Sequence, residues 1–150
     1  MNLREIEESD ITQVARWNVQ LHEDEGSIPL SVDAAAERLR RWFAAGRFQG
    51  VIFLVGGNPI GYLLYELRPV HADLRAGESV YIRQFFISRE SRRQGHGSVA
   101  IRSFLRDQVS EIASVVLDVK ATNPSGQQFW QSLGFKAKSV AFELDVRREV

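Results

Sequence analysis

Residues 79–109 read SVYIRQFFISRESRRQGHGSVAIRSFLRDQV. Positions 79–87 are dense in β-branched and aromatic side chains (Val80, Tyr81, Ile82, Phe85, Phe86, Ile87), which suit a pleated strand. Positions 88–97 are polar and end in Gly95-His96-Gly97, where the backbone breaks and restarts. From there Val99, Ile101, Phe104 and Leu105 take up helical spacing to about Val109. A further strand is expected at 115–120. Strand, crossover helix and strand predict a right-handed unit whose two strands are parallel.

Upstream of this unit, residues 3–6 form a short edge strand. Ser9 or Asp10 can cap a first helix through Ile11, Val14, Ala15 and Leu21, and the chain then turns through His22-Glu23-Asp24-Glu25-Gly26. A second helix is expected from about Ser31 to Ala45, with Leu39, Trp42 and Phe43 on its apolar face and Gly46 as its stop. Positions 51–55 and 60–67 make a hairpin around Gly56-Gly57-Asn58, and a loop runs from Pro69 to Gly77. Downstream come a break at Thr122-Asn123-Pro124, a short helix over 125–133 ended by Gly134, and a last strand carrying Val140, Phe142 and Leu144. This order predicts one α/β domain over residues 1–150. Its centre is a mixed, mostly antiparallel sheet of six to seven strands, flanked by about four helices.

Composition limits the function. The chain has 150 residues, 44% hydrophobic and 25% charged, the balance of a globular domain. Lys+Arg and Asp+Glu both number 19, so no global charge draws it to nucleic acid or an anionic membrane. Cysteine is absent, which excludes disulfides, a thiolate nucleophile and thiolate metal sites. The start, Met1-Asn2-Leu3-Arg4-Glu5, does not resemble a secretory signal. Apolar runs fall well short of the roughly 20 residues that a bilayer span needs. His22, His71 and His96 are scattered without metal-ligand spacing. A cytoplasmic protein without metal is the expectation.

The chemistry begins at the glycines. Gly95 and Gly97 let the backbone approach a ligand without a Cβ, and the first amides of the following helix have no helical acceptor. Those amides and the helix dipole favour phosphate, and Arg92 and Arg93 can add charge-assisted bonds. The bland reading is a glycine turn with solvated arginines. Gly95, Gly97 and Ala100 also satisfy the G-x-G-x-x-A dinucleotide spacing, with Asp118 as acidic partner. That fingerprint wants its first glycine at the strand end, whereas a long polar stretch intervenes here. An ATPase-type phosphate loop is excluded because no Lys-Ser or Lys-Thr follows.

Arg92-Arg93-Gln94-Gly95-His96-Gly97 matches R/Q-x-x-G-x-G/A, and at this point the chain resembles the GNAT N-acetyltransferase family. The likeness continues at Asn123, at Phe129-Trp130 and at Leu133-Gly134-Phe135, and extends over nearly the whole chain. It implies a strand at 79–87 splayed from its parallel neighbour, with acetyl-coenzyme A (acetyl-CoA) as cosubstrate in the gap. The pantetheine arm would bond to backbone groups of Phe86 and Ile87, and a backbone N–H near Phe86 would polarise the acetyl carbonyl. Amides of Gln94, Gly95, His96, Gly97 and Ser98 would hold the diphosphate, with Asn123 near the pantetheine. The final strands would offer a homodimer interface.

The reaction implied is direct transfer of acetyl to a primary amine of a small molecule or peptide. It requires orientation, stabilisation of the oxyanion and removal of a proton. The family's usual tyrosine acid is replaced by Trp130, whose indole N–H does not ionise usefully. Trp130 therefore either lines the cleft while thiolate leaves unassisted, or marks a silent acyl-CoA binding or sensor module. Ser88-Arg89 stands where proline is common, which removes only a rigid turn. The candidate proton acceptors are Glu66 and Glu78, directly or through water, and Tyr81 is a further candidate catalytic residue on the acceptor side. Strand alternation puts Tyr81, Arg83 and Phe85 on one face. The acidic run Glu23-Asp24-Glu25 borders the acceptor side and would attract a cationic amine.

Overall fold

The computed structural model describes residues 1–28, 30–69, 78–109 and 114–149, as two compact units, Met1–Asp118 and Val119–Val150. The expected 69–77 loop lies, beyond Pro69, outside the described residues, as does His71.

In the first unit the order is β1 (Asn2–Glu5), α1 (Ile11–Asp24), α2 (Val32–Ala44), β2 (Gln49–Val55), β3 (Asn58–Pro69), β4 (Glu78–Ile87), α3 (His96–Gln108) and β5 (Ser114–Val116). The five strands lie in chain order, β1 to β4 antiparallel and β4–β5 parallel. Local chemistry explains the helix starts. Asp10 accepts the Glu7 N–H at 2.8 Å, and Arg4 grips the same carboxylate at 2.6 and 2.9 Å, ahead of α1. Ser31 caps α2 by accepting the Ala34 N–H at 3.1 Å.

One sheet face packs on α1 and α2. There Ile52, Tyr62, Leu64 and Phe86 meet Ile11, Val14, Ala15, Trp17, Ala35 and Leu39. On the other face Tyr65 meets Phe104 of α3 edge-on, and Phe53 meets Phe85. Helices thus cover both sheet faces, as the periodicities predict.

The β3–β4 register slips between Leu64 and Tyr65: Leu64 pairs with Gln84 and Tyr65 with Ile82, leaving Arg83 as the extra residue of a bulge. The bulge corrects the alternation expected on β4. Tyr81 pairs with Glu66 and Gln84 with Leu64, so both face α1 and α2, whereas Phe85 pairs with Leu63 and faces the opposite side. A two-residue period cannot anticipate an inserted residue.

In the second unit, α4 (Pro124–Ser132) is capped by Asn123, whose Oδ1 accepts the Gly126 N–H at 3.0 Å. A short α5 (Val146–Glu149) follows. The expected last strand is not formed: residues 135–145 have no regular structure, and Val140, Phe142 and Leu144 are exposed. Among the described residues the sheet of the first unit has five strands, where six or seven were expected, and β5 is shorter than the 115–120 expected.

Candidate active site

Parallel pairing of β4 with β5 covers only Ser79, Val80 and Tyr81. It stops two residues before the bulge, so from Ile82 to Ile87 the β4 edge opposite β3 has no strand partner among the described residues. One hydrogen bond sets the phase of the ladder there. Ser88 N–H donates to Ile60 O at 2.7 Å, so by antiparallel alternation Phe86 turns its N–H and C=O toward Tyr62 of β3. Phe85 and Ile87 turn theirs to the open edge. Arg92 Nε, donating to Ile87 O at 2.9 Å, agrees with that direction. The backbone groups assigned to Phe86 from sequence thus move to its two neighbours, a one-residue correction that only the ladder phase could make.

Gly61 makes the β3–β4 approach close. A Cβ there would collide with Phe86 O and lie 3.0 Å from Ile87 Cδ1.

After β4 comes a short 3₁₀ turn (Arg89–Ser91), and then Arg93 and Gly95 adopt left-handed backbone, φ 62° and 76°. Arg93 is the one non-glycine with positive φ among the described residues. That conformation costs about 1–2 kcal/mol, and it curls successive amides toward one side, an anion-binding geometry. Val99 N–H reaches back to Gly95 O at 3.3 Å, so the amides of Gly95, His96, Gly97 and Ser98 precede the first helical bond of α3. No side chain caps this helix. Gln94 Nε2 returns to Glu90 O at 3.4 Å. A diphosphate fits such a terminus.

Arg92 and Arg93 divide their roles. Arg92 stacks on Phe86, 4.9 Å from the ring centroid, and pairs with Asp24 at 2.8 Å. Arg89 holds Glu23 and Asp24, each at 3.0 Å. Burial works against ionised Asp24, but the bonds from Arg92 and Arg89 hold its carboxyl below the usual range. Arg92 is thus a clamp between α1 and the turn, and Arg93, in no ion pair among the described residues, is the arginine left for an anion. The acidic run expected to draw a cationic amine has two of its three carboxylates neutralised. It also belongs to the last turn of α1 rather than to a loop.

The proposed proton acceptors and Tyr81 lie back along the strand. Tyr81 donates to Asp118 Oδ2 at 2.7 Å, and burial followed by that bond raises its pKa. Glu66 pairs with Arg68, whose guanidinium sits 3.8 Å from the Tyr81 ring centroid. Tyr81 is four residues from Phe85, about 13 Å at strand rise, and Glu66 is its cross-strand partner. Glu78, at the far end of β4, is more distant still. By strand spacing, Tyr81 and Glu66 lie well back along the sheet from Phe85 and Ile87.

In the second unit, Asn123 has its carbonyl oxygen engaged in capping, with Ser125 Oγ also donating to it at 3.2 Å. Its amide nitrogen is the group left for a ligand. Trp130 packs edge-on against Phe129 at 5.0 Å and Phe135 at 5.2 Å.

Sequence reading missed a buried polar network on the α1/α2 side of β4. Asn18 is fully buried; its Nδ2 donates to Gln84 Oε1 at 2.9 Å and to Tyr62 Oη at 3.3 Å, and Tyr62 donates to Gln84 at 2.9 Å. Burial pushes the Tyr62 hydroxyl well above its usual pKa, against the opposing Asn18 bond. The available signal was Asn18 itself, a polar residue within the stripe of Ile11, Val14 and Ala15. Among the described residues there is no cluster of three or more metal-type side chains, and no helix long and apolar enough to cross a membrane.

The model of the Acetyltransferase (GNAT) family matches residues 13–135. Similar solved structures include a possible acetyltransferase from Clostridium difficile 630, at TM-score 0.80 and 19% identity, covering 97% of both chains. A predicted acetyltransferase with acetyl-CoA from Clostridium acetobutylicum has TM-score 0.73 and 16% identity, covering 98% of this chain and 97% of that one. An acetyltransferase from Trypanosoma brucei has TM-score 0.68 and 23% identity, covering 97% and 99%. No curated protein matches the chain in sequence.

Proposed function

The chain belongs to the GNAT acetyltransferase family, and from that premise we propose that it moves an acetyl group from acetyl-CoA to a primary amine within a ternary complex. The observation that carries this is the β4 edge from Ile82 to Ile87, along which no described strand pairs, followed within the same unit by the left-handed turn and the start of α3. The edge suits an extended pantetheine arm, added as a strand would be. The turn suits the diphosphate, with Arg93 as its cation. The family match runs through both units, which supports treating residues 1–150 as one transferase domain. We read it as cytoplasmic.

Acetyl-CoA supplies an acyl group already activated as a thioester. The chain's part is to align it and to direct an N–H of Phe85 or Ile87 at the carbonyl oxygen, where negative charge grows as the amine attacks. The carbon–sulfur bond then breaks. A thiol of pKa about 8.5 is a tolerable leaving group without an acid, so Trp130 in place of the family's usual tyrosine does not forbid turnover. With Glu66, Glu78 and Tyr81 remote, the ammonium proton leaves through water.

Trp130 favours one second reading, a silent module that binds acyl-CoA without turnover. Thiol release from acetyl-CoA against a panel of amines, with calorimetry of CoA binding in parallel, separates the two. Release with any amine establishes the transferase; tight binding without release across the panel supports the silent module.

A further inference from the structure

Most arginines in ion pairs here have a carboxylate close at hand: Arg4 holds Asp10, Arg68 holds Glu66, and Arg89 and Arg92 hold the end of α1. Arg38 of α2 does not. It is partly buried, and one terminal nitrogen donates to Asn18 Oδ1 at 3.1 Å and lies 3.3 Å from His22 Nε2, neither of them a carboxylate. Its guanidinium lies 4.7 Å from the centre of the Trp42 ring. Its Nε is buried with no hydrogen-bond partner, and no described carboxylate pairs with it. A buried donor left without an acceptor is costly, so the Arg38 guanidinium is under-satisfied by the described residues.

A like charge on the neighbouring strand makes the deficit larger. Arg83, the bulged residue of β4, is exposed, is in no ion pair among the described residues, and opposes the Arg38 charge. Burial is the main influence lowering the Arg38 pKa, and Arg83 adds to it. The bulge brings Arg83 and Gln84 to the α1/α2 face together. Gln84 Oε1 is taken by Asn18 and Tyr62, which leaves its amide nitrogen as one more donor. Arg83 and Gln84 directly precede Phe85 in β4, and the bonds from Arg38 to Asn18 and from Asn18 to Gln84 tie Arg38 to the same face.

We propose that Arg38 and Arg83 form a carboxylate-recognition site beside Phe85, and that the amine acceptor of this chain is an amino acid or short peptide bearing a free carboxylate. The site rests on the acyl-transfer reading for its purpose, not for its chemistry. A planar carboxylate matches the fork of a guanidinium in a bidentate pair, and exposed Arg83 presents its own to solvent. Arg83 lies two residues from Phe85, about 7 Å at strand rise, a span that its flexible side chain shortens toward the distance between the amine and carboxylate of such an acceptor. The ion pairs that Glu23 and Asp24 make with Arg89 and Arg92 remove much of the field that would have favoured a cationic amine.

The experiment measures thiol release from acetyl-CoA with the common amino acids and simple dipeptides, each beside its carboxamide, together with aminoalkyl phosphates and diamines. The expected result is an acid used at least about tenfold better in kcat/KM than its amide, with the difference in KM. Arg38→Gln and Arg83→Gln should each shrink that acid-to-amide ratio, and Arg38→Lys should restore part of it. Amides, diamines or phosphates used as well as the acids, or a ratio that neither variant moves, would overturn the proposal. Arg83→Gln, at an exposed position, keeps the test valid if Arg38→Gln fails to fold.

A parallel titration of N-acetyl amino acids and their amides, followed by calorimetry with CoA present, reads the site without turnover. Acids bound through Arg38 with no thiol released from any amine would sink the transferase reading and leave the anion site standing. Thiol released only from uncharged or cationic amines would do the reverse. No preference for acids in either measurement removes the site.

Discussion

Gly61 is constrained by its neighbours rather than by its own dihedrals. An added Cβ would meet the backbone oxygen of Phe86, an atom that cannot swing away as a flexible side chain would. Gly61→Ala should therefore cost about 1–3 kcal/mol, seen as a lowered Tm, and should weaken CoA binding because β4 must shift where its edge meets the cofactor. Unchanged CoA affinity in a folded variant would count against the β4-edge assignment. Trp130 invites a different substitution. Its contacts with Phe129 and Phe135 are ring contacts that tyrosine can retain in part. Trp130→Tyr should preserve or raise kcat, since a phenol can protonate a departing thiolate. Abolished turnover with an intact fold would show that the indole has a packing role tyrosine cannot fill. Trp130 was visible in the sequence as an exception to a motif. Arg38 and Asn18 were not singled out, because an arginine on an amphipathic helix is usually solvated and only packing shows which one lacks a counter-charge.

At the scale of elements, the end of α1 is tied to the β4–α3 turn through Asp24, Arg89 and Arg92. The start of α1 is tied to β1 through Asp10 and Arg4. Both carboxyls have depressed pKa values: Asp10 mainly through its bond to Arg4, and Asp24 through Arg92 and Arg89 against the cost of burial. A carboxyl whose pKa is lower folded than unfolded adds stability above its unfolded pKa, about 3.9 for Asp. That stability drains away as pH falls through the lower folded value. The denaturant midpoint should thus hold from neutrality to about pH 5 and fall steeply below about pH 4. Asp10→Ala should flatten part of the fall and cost about 1–2 kcal/mol at neutral pH, chiefly as a lost cap. An acid limb unchanged in that variant would remove Asp10 as a contributor. Helix starts at Ser31 and Asn123 were legible from sequence, because a cap is a bond between near neighbours. The ties that Arg89 and Arg92 make were not, because they join residues distant in the chain.

For the whole molecule, a ligand held by the native state alone stabilises it by about 2.7 kcal/mol at a hundred times its Kd. For a chain of this size that is roughly 5–10 °C in Tm, which acetyl-CoA should produce and Gly97→Val should abolish together with the calorimetric signal. A full Tm shift in Gly97→Val would place the diphosphate elsewhere. The order of strands and helices, the hairpin, the parallel pair and the glycine turn were determined by the sequence alone, since each rests on local periodicity, on caps or on glycine. Tertiary structure decided the rest. The bulge at Arg83 chose which side chains share a face, and the ladder phase chose Phe85 and Ile87 over Phe86. These outcomes depend on pairing and burial between distant segments, and a strand's own pattern carries no information about the neighbour it will meet.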